Sequence, residues 1–436
     1  MKRRQLLGLV GGTALGAAAG CSSLFDGDDA DPRLDPDEVA AIVSESPPDI
    51  ARPAPIQPAA GVVESGLNRG DELLARLPDS LSSEAIPDED VRRELTQLRE
   101  RARQKRTEVE AAPTDFHALR EVARFRQRAR NAGTTYEALD SDRRESIESE
   151  RTDVERALGT QLAQVQYAGE DCDRTLLLAA RLEDSLTAAQ RALARSYDHD
   201  DGGAPGLGQL AADAEYARAI TDTAAHLSER HSATVQTPTE FTQTFDAVLA
   251  RARADLAEYV RAKESPEELA DAAADRSDVA RLVDIAQVSP ERLQQLNEHA
   301  QRRQLALALD SALDMAMEGR ALEAILSRLN DDDFPPPETA DRVREERDAA
   351  LTAAENIDID PAEQSLGADI YVRTVQWAHL IDESLLESVS RAREEDRDVN
   401  PSLYYAQYAN LHARLDSLPA AIDAFQRWFD ITHSKP

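Results

Sequence analysis

Lysine is nearly absent from this 436-residue chain, occurring only at 2, 105, 263 and 435, so arginine supplies almost all of the 50 cationic side chains. These face 83 carboxylates, for a formal net charge of −33. Binding to phosphate backbones requires clustered positive charge, so this balance argues against nucleic acid as a partner. A chain this acidic repels itself in dilute buffer. Concentrated salt, with a Debye length of about 3 Å at 1 M, relieves the repulsion, and the composition is read as halophilic.

Cysteine is equally scarce. Cys21 and Cys172 are the two thiols, and once Cys21 is given another role no intrachain disulfide can form. Cys172 sits in Glu170-Asp171-Cys172-Asp173, where acidic neighbours raise the thiol pKa and make a structural residue rather than a nucleophile. Glycine occurs at 18 positions, and no run of alternating β-branched residues bounded by turns is long enough to predict a strand.

The motifs of common chemistry are missing or out of context. None of the eight histidines follows a glutamate by three residues, and no H-E-x-x-H occurs, so neither a ferritin-like site nor a zinc-protease site is expected and no metal is assigned. Gly206-Leu207-Gly208-Gln209-Leu210-Ala211 has dinucleotide-loop spacing, but an acidic loop precedes it where a strand is needed. Neither Lys105 nor Lys263 follows a glycine as a phosphate-binding loop demands, and there is no G-x-S-x-G. No cofactor and no catalytic residue is named, and the chain is not expected to be an enzyme.

What is present begins at the N-terminus. Lys2-Arg3-Arg4-Gln5-Leu6-Leu7 places a paired arginine, Arg3 and Arg4, before an uncharged run from Leu6 to Gly20 that closes on Ala18-Ala19-Gly20-Cys21. A spanning helix wants about 20 predominantly apolar residues; this run is shorter and rich in Gly and Ala, which favours a cleaved signal. The stretch resembles the signals of haloarchaeal twin-arginine lipoproteins. That resemblance covers the first 21 residues and implies removal of 1–20, a lipobox whose small residues Ala18, Ala19 and Gly20 fit the signal peptidase, lipid on Cys21, and a location on the outer face of the cytoplasmic membrane. It implies nothing about the activity of the remainder.

Residues 21–60 read as an acidic, then proline-rich tether, with one short helix near Asp37 to Ser44 capped by Asp35. An extended spacer of this kind rises about 3.1 Å per residue, a reach of roughly 100 Å. Beyond Gly61 the apolar pattern is helical. Leu178, Leu182, Leu186, Ala189 and Leu193 form one stripe; Leu95, Leu98, Ala102 and Val109 form another; Ile147, Val154 and Leu158 begin a third. Helix starts are predicted at Thr237-Pro238-Thr239-Glu240, Ser265-Pro266-Glu267-Glu268 and Asp360-Pro361-Ala362-Glu363, with looser versions at Ser289-Pro290-Glu291 and Asn400-Pro401-Ser402. The fold class is therefore all-α, an elongated bundle or coiled-coil-like set of helical domains. A helical bundle region is expected over 61–330 and an aromatic-rich helical region over 331–436, divided by the loop around Asn330 to Pro337.

Both tryptophans and many of the tyrosines lie in the C-terminal region. Packing explains them most simply, but Tyr404, Tyr405, Tyr408 and Trp428 are also candidates for a partner or ligand surface, since such rings are enriched at interfaces. The function expected is that of a membrane-anchored interaction or structural module with an unidentified protein partner. A ligand-binding lipoprotein, such as a receptor or transport accessory, is the alternative, and a surface enzyme ranks below it. Periodicity leaves the oligomeric state open.

Overall fold

The computed structural model describes residues 32–430 except 85, 142, 196–202, 264–275, 287–289 and 332–333. The fold is all-α. The described strands are β1 (Ala168–Gly169) and β2 (Thr239–Glu240), paired antiparallel with Ala168 opposite Glu240. Among the described residues no helix is long and apolar enough to cross a membrane. The chain divides into two compact units. One comprises residues 54–240 and the other residues 32–53 and 241–430. The boundary thus falls at Glu240, not near 330.

The N-terminal unit contains α2 (Val62–Leu74), α3 (Glu89–Glu110), α4 (Asp115–Glu137), α5 (Arg144–Ala163), α6 (Cys172–Ala194) and α7 (Gly203–Thr234). The three predicted stripes fill its core. Leu178, Leu182, Leu186, Ala189 and Leu193 of α6 pack with Val154 and Leu158 of α5 and with the alanines of α7. The other side is built from α2, α3 and α4 around Phe125, Leu73 and Ala102. The G-x-G-x-x-A run lies inside α7, where Gly208 has a packing role. A Cβ there would stand 2.0 Å from Thr135 Oγ1 and 2.7 Å from Asn131 Oδ1, so its absence lets α7 lie close against α4.

That close approach shelters a polar seam. Gln127 and Gln209 both donate to Asp213 Oδ1, at 3.0 and 3.1 Å, and Asn131 donates to Gln209 at 3.1 Å. Arg126 reaches the buried Glu215 from α4 at 2.6 Å, while Arg130 and Arg218 share Glu150 of α5.

The C-terminal unit contains α1 (Pro36–Ala40), α8 (Thr242–Lys263), α9 (Ser277–Ala286), α10 (Pro290–Gln301), α11 (Leu305–Asn330), α12 (Ala340–Asn356), α13 (Leu366–Glu394) and α14 (Ser402–Asp430). Helix α14 is its axis and is packed by α8, α9, α11, α12 and α13. The loop after α11 is not a boundary. Phe334 is buried and stacks on Tyr405 with centroids 4.7 Å apart, and the guanidinium groups of Arg276 and Arg328 lie 5.7 and 5.6 Å from its ring centre.

The described part of the supposed tether is docked instead of extended. Leu34 exchanges two 3.0 Å backbone hydrogen bonds with Val399, and Val39 and Ile42 are buried. Arg52 makes a two-pronged bond to Asp369 at 2.9 and 2.6 Å. Gln376 donates to the Ile50 carbonyl at 2.8 Å. Residues 54–60 pack in the N-terminal unit, where Arg174 donates to the Pro55 carbonyl at 2.7 Å and Ile56 joins the core. Proline supplies no N–H but keeps its carbonyl, and long polar side chains from helices satisfy these carbonyls.

Two expected helix starts are also displaced. Thr239 and Glu240 are taken into β2, while Glu170 accepts from the N–H groups of Gln236 and Thr237, and α8 begins at Thr242. Asp360 closes a tight turn by accepting from Ala362 N, and α13 is capped by Ser365. The starts at Pro290 and after Asn400 are found where expected, and the one at Ser265 lies outside the described residues.

Candidate functional site

Arg3, Arg4, Ala18, Ala19, Gly20 and Cys21 lie outside the described residues. The aromatic candidates are core residues. Tyr404, Tyr405, Tyr408 and Trp428 are 6, 2, 0 and 7% exposed, which corrects the expectation of a surface. Surrounded on so many sides, α14 has little wet face left for large rings, and three of the four polar tips are satisfied internally. Tyr404 donates to Ser384 O at 3.1 Å, Tyr408 to Asp382 Oδ1 at 2.6 Å and Trp428 Nε1 to Asp255 Oδ2 at 2.7 Å.

Around these rings runs a set of buried and half-buried ion pairs. Arg347, with a side chain 1% exposed, grips Asp382 through two hydrogen bonds of 3.0 and 2.7 Å. Burial, and then the Asp382 charge, pushes the Tyr408 hydroxyl well above its usual range. Arg328 grips Glu346 through two 2.8 Å bonds, and His412 Nδ1 lies 2.9 Å from the same carboxylate. Burial alone would raise the Glu346 pKa, but the Arg328 and His412 bonds and charges outweigh it and hold the group at about 2. Arg292 and Arg414 together clasp Asp314 and Glu318. Carboxylates locked to arginines in this way make rigid joints and poor proton carriers.

Cys172 is half-buried at the start of α6. Burial, reinforced by Asp173 and Asp171, pushes its thiol up to about 12, so it is protonated at neutral pH and a weak nucleophile. Among the described residues no group of three or more His, Cys, Asp or Glu side chains is placed to hold a metal ion.

Among the described residues each unit holds a cavity. One, of about 380 Å³ in the C-terminal unit, lies between α8, α11 and α14 and is lined by Asp255, Tyr259, Met315, Gly319, Arg320 and Trp428, among others. Its polar groups are largely committed: Asp255 to the Trp428 indole, Tyr259 OH to the Gly319 carbonyl and Arg320 to the Ala316 carbonyl.

The other cavity, of about 520 Å³, belongs to the N-terminal unit. Gln161 and Gln164 from the end of α5, with Gln166 just beyond, form one wall. Thr175, Leu178 and Leu182 of α6 form the second, and Ala225, Ser228, Glu229, His231 and Ser232 of α7 the third. Residues 175, 178 and 182, like 225, 228 and 232, recur at helical spacing, so each helix turns one stripe to the space. His231 Nε2 lies 2.8 Å from the Ala168 carbonyl, which ties α7 to β1. Gly169 keeps this corner open, since a Cβ there would stand 2.1 Å from Thr175 Oγ1 and 3.4 Å from His231 Nε2. No charged or metal-binding motif marks these residues in the sequence. Their one signal was Gln161-Leu162-Ala163-Gln164-Val165-Gln166, an uncharged, amide-rich run in a chain where Arg and Glu dominate polar positions.

Residues 62–237 match a family described as Domain of unknown function (DUF8262), and residues 242–427 match another described as Domain of unknown function (DUF8264). The two ranges follow the two units. No curated protein and no solved structure matches the chain.

Proposed function

We propose that the chain is a lipid-tethered helical module on the outer face of the cytoplasmic membrane, acting by interaction or as a structural element rather than by catalysis. The Arg3-Arg4 signal and the cysteine that closes it at Cys21 support export and lipidation. The acid-rich composition suits a protein bathed in salt. The ion-paired interior favours a rigid body over a reactive site.

The observation that carries the reading further is the docking of residues 32–53 in the C-terminal unit. Ten residues, Ser22 to Asp31, separate Cys21 from that docked segment. At about 3.3–3.6 Å per extended residue this is a reach of roughly 35 Å, not the roughly 100 Å of a free spacer. A lipid on Cys21 would therefore hold the C-terminal unit close to the bilayer.

Membrane fractionation of cells expressing Cys21→Ser, beside metabolic labelling with a radioactive lipid precursor, tests the reading. The native chain should carry label and sediment with membranes, and the variant should lose the label and appear unprocessed or in the medium. Unlabelled native chain, or full membrane retention of the variant, would sink the lipid anchor.

A further inference from the structure

Two residues that line the cavity of the N-terminal unit carry buried polar atoms that the fold leaves unspent. His231 is 9% exposed and its Nδ1 is buried with no hydrogen-bond partner among the described residues. Because Nε2 faces a carbonyl oxygen at 2.8 Å, that nitrogen carries the hydrogen, and in the neutral form of the ring Nδ1 presents a lone pair. Ser228 Oγ, one turn earlier on α7, is likewise buried without a partner. Its neighbour behaves differently: Ser232 donates to the Ser228 carbonyl at 3.0 Å. A buried acceptor and a buried hydroxyl left unpaired each cost free energy, and a ligand that supplies their partners recovers it.

The lining defines the ligand class. Glu229 is the one ionisable lining residue besides His231, and no arginine reaches the cavity, although arginine is the chain's usual answer to an anion. Phosphates and carboxylates therefore lack a counter-charge. No aromatic ring lines it, which removes the platform on which flat bases or quaternary ammonium groups stack. Three glutamine amides can each donate and accept, the Thr175 and Ser232 hydroxyls, which donate to the Asp171 and Ser228 carbonyls, keep lone pairs to accept with, and Leu178, Leu182 and Ala225 provide a small apolar floor. Molecules with several hydroxyl groups on one side and exposed C–H bonds on the other match that division.

We propose that this cavity is a binding site for a neutral polyol of about monosaccharide size, with His231 Nδ1 and Ser228 Oγ as its buried anchors and Gln164 and Gln166 as its rim. The site is built by α5, α6, α7 and the residues just after α5, and does not depend on whether Cys21 carries lipid.

Isothermal titration calorimetry on the full chain in concentrated salt, with D-glucose, D-mannose, D-galactose, myo-inositol and glycerol in turn, tests it. Diglycine and sodium acetate serve as amide and anion controls. At least one polyol should bind one to one. His231→Gln keeps a donor for the Ala168 carbonyl but deletes the Nδ1 acceptor and should weaken binding about tenfold. Gln164→Ala alters an exposed residue and should weaken it several-fold, with circular dichroism unchanged in both variants. The proposal is overturned if no polyol binds the folded chain, if binding is the same in both variants, or if only diglycine or acetate binds.

Discussion

The two units hold helices together by different means. In the N-terminal unit the tightest joint, α4 against α7, depends on missing side chains. Gly208 brings the helices close enough for the amides of Gln127, Asn131 and Gln209 to gather on the Asp213 carboxylate, beside the Arg126–Glu215 pair. In the C-terminal unit large rings fill the space around α14, and arginine–carboxylate pairs such as Arg347 with Asp382 and Arg328 with Glu346 stitch α11, α12 and α13 to one another. Small residues make a joint sensitive to added volume; buried ion pairs make one sensitive to lost charge. Both tryptophans, Trp377 and Trp428, belong to the C-terminal unit, so tryptophan fluorescence reports that unit while circular dichroism reports both.

The largest expected effect is Arg347→Ala. It leaves Asp382, 4% exposed, without its cation and removes a packed side chain. Breaking one side of a buried pair costs roughly 3–5 kcal/mol. The fluorescence transition should move to much lower temperature, while the remaining dichroism transition stays in place. A coincident shift of both transitions would show that the two units unfold as one.

Acid should make the same distinction. Folding lowers the Glu346 pKa from 4.5 to about 2, so the folded state favours the ionised form. The stabilisation is complete above about pH 4.5 and disappears as pH falls through about 2, a loss of roughly 3 kcal/mol at 1.36 kcal/mol per unit. Asp314, lowered by Arg414 and Arg292 against the opposing effect of burial, adds to this. Asp310, raised by burial, acts in the opposite sense. The fluorescence midpoint should fall across that window, and Glu346→Gln should flatten the dependence. An equally steep profile in the variant would remove Glu346 as its source.

Added volume should be felt in the other unit. Gly208→Ala places a methyl group against Thr135 and Asn131, an overpacking worth roughly 1–3 kcal/mol. Gly159→Ala in α5 meets nothing within 4 Å and should stabilise by up to about 1 kcal/mol through helix propensity. Opposite shifts of the dichroism transition, with fluorescence unmoved, would confirm the contrast; equal shifts would deny the special role of Gly208.

Much of this architecture was legible in the sequence. The Leu178 and Leu95 stripes, the all-α class and the Asp35 cap follow from neighbours within about two turns; the direction of the Cys172 shift was legible from Asp171 and Asp173, but burial, its larger cause, was not. Reading the aromatic cluster as a possible surface failed because residue type says what a ring prefers, while exposure depends on how many helices surround α14. The spacer failed for a related reason. Leu34 and Ile56 are isolated apolar residues, Val39 and Ile42 belong to a helix and the turn after it that are too short to announce what they pack on, and the partners of the segment lie far away, as Arg52 and Asp369 do. The amide-lined cavity was visible only as an unusual run of glutamines, since His231 and Ser228 reach it from another helix.

By itself, then, the sequence determined where helices run, which faces they bury, the acidic charge balance and the composition of the leading segment. Those properties are set by side chains one turn apart or by simple summation. The tertiary structure alone decided that the division falls at Glu240, that residues 32–60 are docked, that Trp428 is core and that polar atoms from α5 and α7 converge on one cavity. Each of these depends on which faces meet, a choice made by shape and charge complementarity between residues that no local period connects.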